Sequence, residues 1–121
     1  MINTLAILLS DTYKQTHDRM YPKSLKKLTS YWVPRKSMFE KPENQKMVWF
    51  GMQAFIQEWL IEYFQKNFFD LPLNRVMKEY KFTMNIQLGE GNYDVEKIEK
   101  LHNLGYLPLE IKALPEGSLV N

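Results

Sequence analysis

Cysteine is absent from the 121 residues, which excludes disulfides, thiol catalysis and thiolate metal sites and suits a reducing compartment. Histidine is scarce: His17 and His102 lie far apart in sequence and lack the spacing of metal ligands, so no metal site is expected within the chain. The opening apolar run Leu5, Ala6, Ile7, Leu8 and Leu9 is too short to span a membrane. No basic flank precedes it and no small-residue cleavage site follows, so neither a membrane span nor a leader is expected, and the expected location is the cytoplasm. Charge of neither sign dominates. Sixteen Lys and Arg stand against fourteen Asp and Glu, a net charge of +2, which supports a weak anion preference and by itself no nucleic-acid binding. There is no internal repeat and no low-complexity tract.

What is present is an ordinary globular balance, with 45% apolar and 25% charged residues in a chain the length of one domain. The most informative segment is residues 8–22, LLSDTYKQTHDRMYP, which gathers Asp11, Tyr13, Lys14 and His17 within seven positions directly after the apolar run. Two readings fit. Ser10 or Asp11 can cap a helix whose first turns carry the other three residues. Alternatively, a buried element delivers a polar, ring-bearing turn to one place, as a planar polar ligand requires.

Beyond the stop at Tyr21 and Pro22, residues 23–27 form a basic connector. Residues 28–33 (LTSYWV) carry the β-branched and aromatic character of a strand, ended by Pro34 with Arg35 just past it. Residues 36–46 read as an exposed loop. Phe50, Ala54, Ile56, Leu60, Ile61 and Phe64 recur near helical spacing, predicting a helix within residues 47–69, and Gly51 implies either close packing or a late start. Pro72 suits the first position of a second helix through about Met84, with Val76, Met77 and Tyr80 inward. Asn92 or Asp94 can cap a third helix with Val95, Ile98 and Leu101 as its apolar stripe, closed by Gly105, and His102 reads as an ordinary helix-end residue. Residues 107–114 alternate as a half-buried strand, followed by a turn at Pro115, Glu116 and Gly117 and the start of a return strand at residues 118–120. The expected fold is α+β: a small antiparallel sheet of residues 28–33 and 107–114 packed by about three helices, with Trp49, Phe50, Phe55, Trp59 and Phe64 supplying much of the core area and some of them left exposed.

The opening segment, together with LPLEIKALPEG at residues 107–117, resembles the N-terminal region of the nicotinamide phosphoribosyltransferases. TSYWVPRK at residues 29–36 is similar to the strand of that family that ends in an arginine, and VWFGMQAFIQEWL at residues 48–60 to the helix that follows it. Thr12 stands where the family usually has serine, and Val33 and Pro34 precede Arg35 where it more often has an acid and another residue. The nicotinate branch shares the early Asp-x-Tyr element, whereas Lys14, His17, the Tyr21–Pro22 stop and the EIKALPEG segment resemble the nicotinamide branch.

The resemblance implies one accessory, dimer-forming domain over residues 1–121 of a type II phosphoribosyltransferase, cut before its barrel domain. The implied reaction joins nicotinamide to phosphoribosyl pyrophosphate, giving nicotinamide mononucleotide and pyrophosphate. Tyr13 matches the ring that stacks on nicotinamide, Asp11 the acid beside it and Arg35 an arginine that reaches phosphate, with Lys14 and His17 supporting the turn. Phosphoribosyl pyrophosphate, Mg2+ and ATP serve the family, but this chain alone is expected to bind no cofactor, to hold no catalytic residue and to be inactive. Its implied partners are a second copy or a barrel-containing homologue. A non-catalytic interaction module is the alternative in another class. A single-strand binder using Lys23, Lys26, Lys27, Arg35 and Lys36 beside Tyr31 and Trp32 is disfavoured, because acids nearly balance the bases.

Overall fold

The computed structural model describes residues 4–34, 41 and 46–120. The chain opens with a 3-10 turn, Ala6–Leu8, and a nine-residue 3-10 helix, Thr12–Met20, that ends where Tyr21 turns extended ahead of Pro22. A two-residue strand β1 (Met47–Val48) leads into helix α1, which starts at Met52–Phe55 and continues with wider, π-type winding over Ile56–Tyr63 and Gln65–Phe69. The Asp70 amide donates to the Gln65 carbonyl five residues back, the backbone spacing of that winding, and the Gln57 side chain donates to Glu62 across the same interval. Helices α2 (Leu73–Leu88) and α3 (Glu96–Leu104) follow, and strand β2 (Leu119–Val120) closes the chain.

The helical half follows from its sequence. Pro72 sits one position before α2, where its carbonyl accepts from the amides of Arg75 and Val76, and the helix runs four residues past the expected end to Leu88. Asp94 is the cap of α3: its carboxylate accepts from the amides of Glu96 (2.9 Å) and Lys97 (3.4 Å). Asn92 instead donates to the Leu88 carbonyl and closes α2. Gly105, at φ +80°, takes the left-handed position that ends α3. Gly51, at φ +92°, marks a late start of α1, and among the described residues nothing packs against the side where a Cβ would stand.

The core lies among the opening turn, the end of α1, α2 and α3. Leu5, Ala6, Phe68, Val76, Tyr80, Met84 and Ile98 are buried together, so the apolar run at the N-terminus is a plug in the helical core. His102 is more than a helix-end residue. Its Nε2 lies 2.8 Å from the Leu71 carbonyl and its ring stands edge-on to Phe68, tying α3 to the α1–α2 junction.

Three expectations change. The sheet is β1 against β2, antiparallel with Met47 opposite Val120 and Val48 opposite Leu119. Residues 28–33 and 107–114 are extended but join no ladder among the described residues. Lys27, just before the first segment, pairs with Glu110 of the second (2.9 Å), and strand-like composition gives no information about which backbone each would meet. Trp49 and Phe64 are half-buried, while Phe50, just before α1, and Phe55 and Trp59 on it are exposed, since the described residues leave the outer face of α1 largely uncovered.

The EIKALPEG segment does a different job from the expected one. The Glu116 carboxylate reaches the start of α1 and accepts from the amides of Gly51 (2.7 Å) and Gln53 (3.1 Å), capping that helix from 65 residues away in sequence. Donation from Gln53 and then Gly51 holds its carboxyl below the usual range. Gly117 donates to the Trp49 carbonyl and Trp49 to the Ser118 carbonyl, which extends the β1–β2 pairing to the turn.

Candidate functional site

The opening apolar turn is buried, so the chain that leaves it at Leu9 emerges at a fixed point on the surface and enters the 3-10 helix at once. A 3-10 helix has three residues per turn, so residues three apart stand above one another. One such row, Thr12, Gln15 and Asp18, faces the body of the protein. Thr12 donates to Gln87 of α2 (3.0 Å), Gln15 donates to the Ile7 carbonyl (3.0 Å) and Ser10 (2.7 Å), and Asp18 pairs with Lys97 of α3 (2.8 Å). Lys97 holds the Asp18 carboxyl below its usual value. Arg19 adds a hydrogen bond to the Gly91 carbonyl in the α2–α3 loop (2.8 Å).

The expected site residues occupy the other faces. Asp11 precedes the helix, but its side chain makes no capping hydrogen bond; only its carbonyl serves the helix, accepting from the Lys14 amide (2.9 Å). The cap reading of Ser10 and Asp11 therefore fails, since Ser10 is engaged by Gln15 and Asp11 directs its carboxylate to Lys14 Nζ at 3.4 Å. Both partners of that pair are more than half exposed, so it is weak and readily exchanged for another donor. Tyr13 is 59% exposed and leans on His17, ring centroids 5.3 Å apart, while His17 in turn meets Tyr21 edge-on at 6.4 Å. Lys14 Nζ lies 6.0 Å from the Tyr13 ring centre, at the limit of a cation–π contact.

The structure thus brings Asp11, Tyr13, Lys14 and His17 onto one exposed surface: a carboxylate, an open aromatic face backed by an imidazole, and an ammonium group. Such a surface can stack a flat ring and accept a hydrogen bond from a group on its edge. Arg35 lies outside the described residues. Among the described residues no three His, Cys, Asp or Glu side chains converge. No described helix is long and apolar enough to cross a membrane.

The sequence profile described as nicotinamide phosphoribosyltransferase, N-terminal domain, matches residues 5–111, from the buried opening turn to the extended segment beside Glu110. The chain belongs to this family. The nicotinamide phosphoribosyltransferase of Acinetobacter baylyi is 46% identical over 114 residues, which cover 92% of this chain and 23% of that protein. The chain therefore spans about a quarter of the length of that curated relative. No solved structure matches it. For a chain of the nicotinamide phosphoribosyltransferase N-terminal family, the groups that residue types alone did not single out are Gln15 and Glu116. Both are polar side chains in turn-rich segments whose partners are distant in sequence, and neither apolar periodicity nor a local cap signature reports such a pairing.

Proposed function

We propose that this chain forms the nicotinamide-facing part of an enzyme that joins nicotinamide to phosphoribosyl pyrophosphate, a transferase step of NAD biosynthesis. The observation that supports it is the division of labour in the 3-10 helix: the inward polar side chains Thr12, Gln15 and Asp18 are tied to the body, while the Asp11 carboxylate meets only the exposed Lys14 and the Tyr13 ring is largely open to solvent. In such a reaction the ring nitrogen attacks the anomeric carbon as pyrophosphate leaves, and catalysis rests on alignment of two bound substrates. Tyr13 supplies one stacking face, contributing on the order of 1 kcal/mol beyond burial. Asp11 accepts a hydrogen bond from the carboxamide N–H, displacing Lys14. Lys14 and His17 shape the turn, and Arg35 serves phosphate by resemblance alone.

The remaining groups, a second stacking ring and the pocket for phosphoribosyl pyrophosphate, belong by family resemblance to a barrel domain on which this chain docks, in a dimer that shares its sites. An apolar face suits that docking. Trp32, Trp49, Phe55, Leu60 and Ile111 border a cavity of about 570 Å³. It adjoins a second of about 270 Å³ that shares Leu60 and Ile111.

The test compares this chain alone with a fusion in which it replaces the N-terminal quarter of the Acinetobacter baylyi enzyme. Nicotinamide mononucleotide should form with the fusion and not with the chain alone. Product from the chain alone, or a folded fusion without activity, would count against the proposal.

A further inference from the structure

Nine residues is long for a 3-10 helix, whose hydrogen-bond geometry is poor and whose runs seldom exceed three or four residues. The Asp11 side chain gives it no cap, so something outside the helix must set its rotation. That rotation matters, because a slip of one residue turns the outward row by about 120° and replaces Tyr13 by a neighbour.

Gln15 is the inward residue tied both to the element before the helix and to the core behind it. Its Nε2 donates to the Ile7 carbonyl and to Ser10 Oγ, both in the segment that launches the helix. Its Oε1 accepts from the hydroxyl of Tyr80 at 3.2 Å. Tyr80 is a fixed reference: it is 1% exposed, sits on α2 in the centre of the core, and has Tyr93 edge-on at 5.8 Å. Burial, with Asp18 and then Asp94 nearby, pushes its hydroxyl up to about 12, so it remains a donor at any ordinary pH.

We propose that Gln15, braced by Tyr80, is a positioning residue that sets the rotation of the 3-10 helix and so aims Asp11 and Tyr13 outward. The significance of that aim rests on the proposed function, whereas the positioning itself does not.

The experiment uses the 121-residue chain and two variants, Gln15→Met, which keeps length and loses all three hydrogen bonds, and Tyr80→Phe, which keeps the buried ring and loses the hydroxyl. The readout is the nuclear Overhauser effect between the Thr12 and Gln87 side chains, which crosses from the 3-10 helix to α2, with the amide spectrum of α2 and α3 as the control for folding. Gln15→Met should weaken the Thr12–Gln87 effect at least about twofold, and Tyr80→Phe should weaken it less, with α2 and α3 still folded in both. Full retention of the effect in folded Gln15→Met overturns the proposal. Should Gln15→Met not fold, the outcome with Tyr80→Phe decides, and full retention there overturns it equally. In the active fusion, Gln15→Met should raise the KM for nicotinamide about three- to tenfold with little change in kcat. Loss of the Thr12–Gln87 effect together with an unchanged KM would sustain the positioning role and remove the nicotinamide reading.

Discussion

Replacing Phe68 by alanine tests whether the core lies where the opening turn, α1, α2 and α3 meet. Phe68 is 0% exposed, with Phe69, His102 and Phe64 at ring-centroid distances of 5.0, 5.5 and 6.2 Å. The end of α1 that carries it packs on the turn Ala6–Leu8. Truncation forfeits the transfer energy of a buried ring and leaves a cavity that these aromatic neighbours fill only in part, a cost of about 3–5 kcal/mol. A domain of this length has on the order of 10 kcal/mol in all, so the thermal midpoint should fall by roughly 10–20 °C. Phe68→Leu, which refills most of the space, should cost only about 1–2 kcal/mol. The assay is urea unfolding followed by far-ultraviolet circular dichroism, comparing midpoints at equal slope. A loss below about 1 kcal/mol for Phe68→Ala would refute the placement of the core.

Other expectations concern single contacts. The Glu116 carboxyl is held below its unfolded value of 4.5, so its stabilisation of the α1 start is whole above that value and fades as pH falls through the lower folded one. Protection of the Gly51 and Gln53 amides, taken relative to the intrinsic exchange rate at each pH, should fall across that acid range, and Glu116→Gln should abolish that change in protection; an unchanged protection profile in the variant would contradict the cap. Asp18→Asn should cost about 0.5–1 kcal/mol once solvent screening of the half-exposed Lys97 is allowed for, and added salt should shrink the difference in urea midpoint between wild type and variant. His102→Ala should cost about 1–3 kcal/mol through the orphaned Leu71 carbonyl and the bared edge of Phe68, and equal stability by urea titration would argue against the tether.

Legibility in the sequence followed the range of the interaction. Helices α2 and α3 were readable because their signals are local: Val76, Tyr80 and Ile98 at helical spacing, Asp94 before the start of α3 and Gly105 after its end. The sheet was misassigned because pairing is non-local. Residues 28–33 and 107–114 have strand-like composition, but the backbone that pairs is Met47–Val48 with Leu119–Val120. Trp59 and Phe55 looked like core because apolar spacing identifies an apolar face and not what covers it. Of the site, the cluster of Asp11, Tyr13, Lys14 and His17 was visible at once. Its geometry was not, since the helix that carries it is tied to the body by partners far along the chain, among them Tyr80, which meets Gln15 from 65 residues away.

The most direct test of the central claim is the KM for nicotinamide of the fusion enzyme carrying Tyr13→Ala, set against Tyr13→Phe. If Tyr13 supplies a stacking face, Tyr13→Phe should lie within about twofold of wild type, while Tyr13→Ala should raise KM by roughly tenfold or more through lost stacking and burial. A KM unchanged by Tyr13→Ala in an active, folded fusion would contradict the assignment of this turn to the nicotinamide ring.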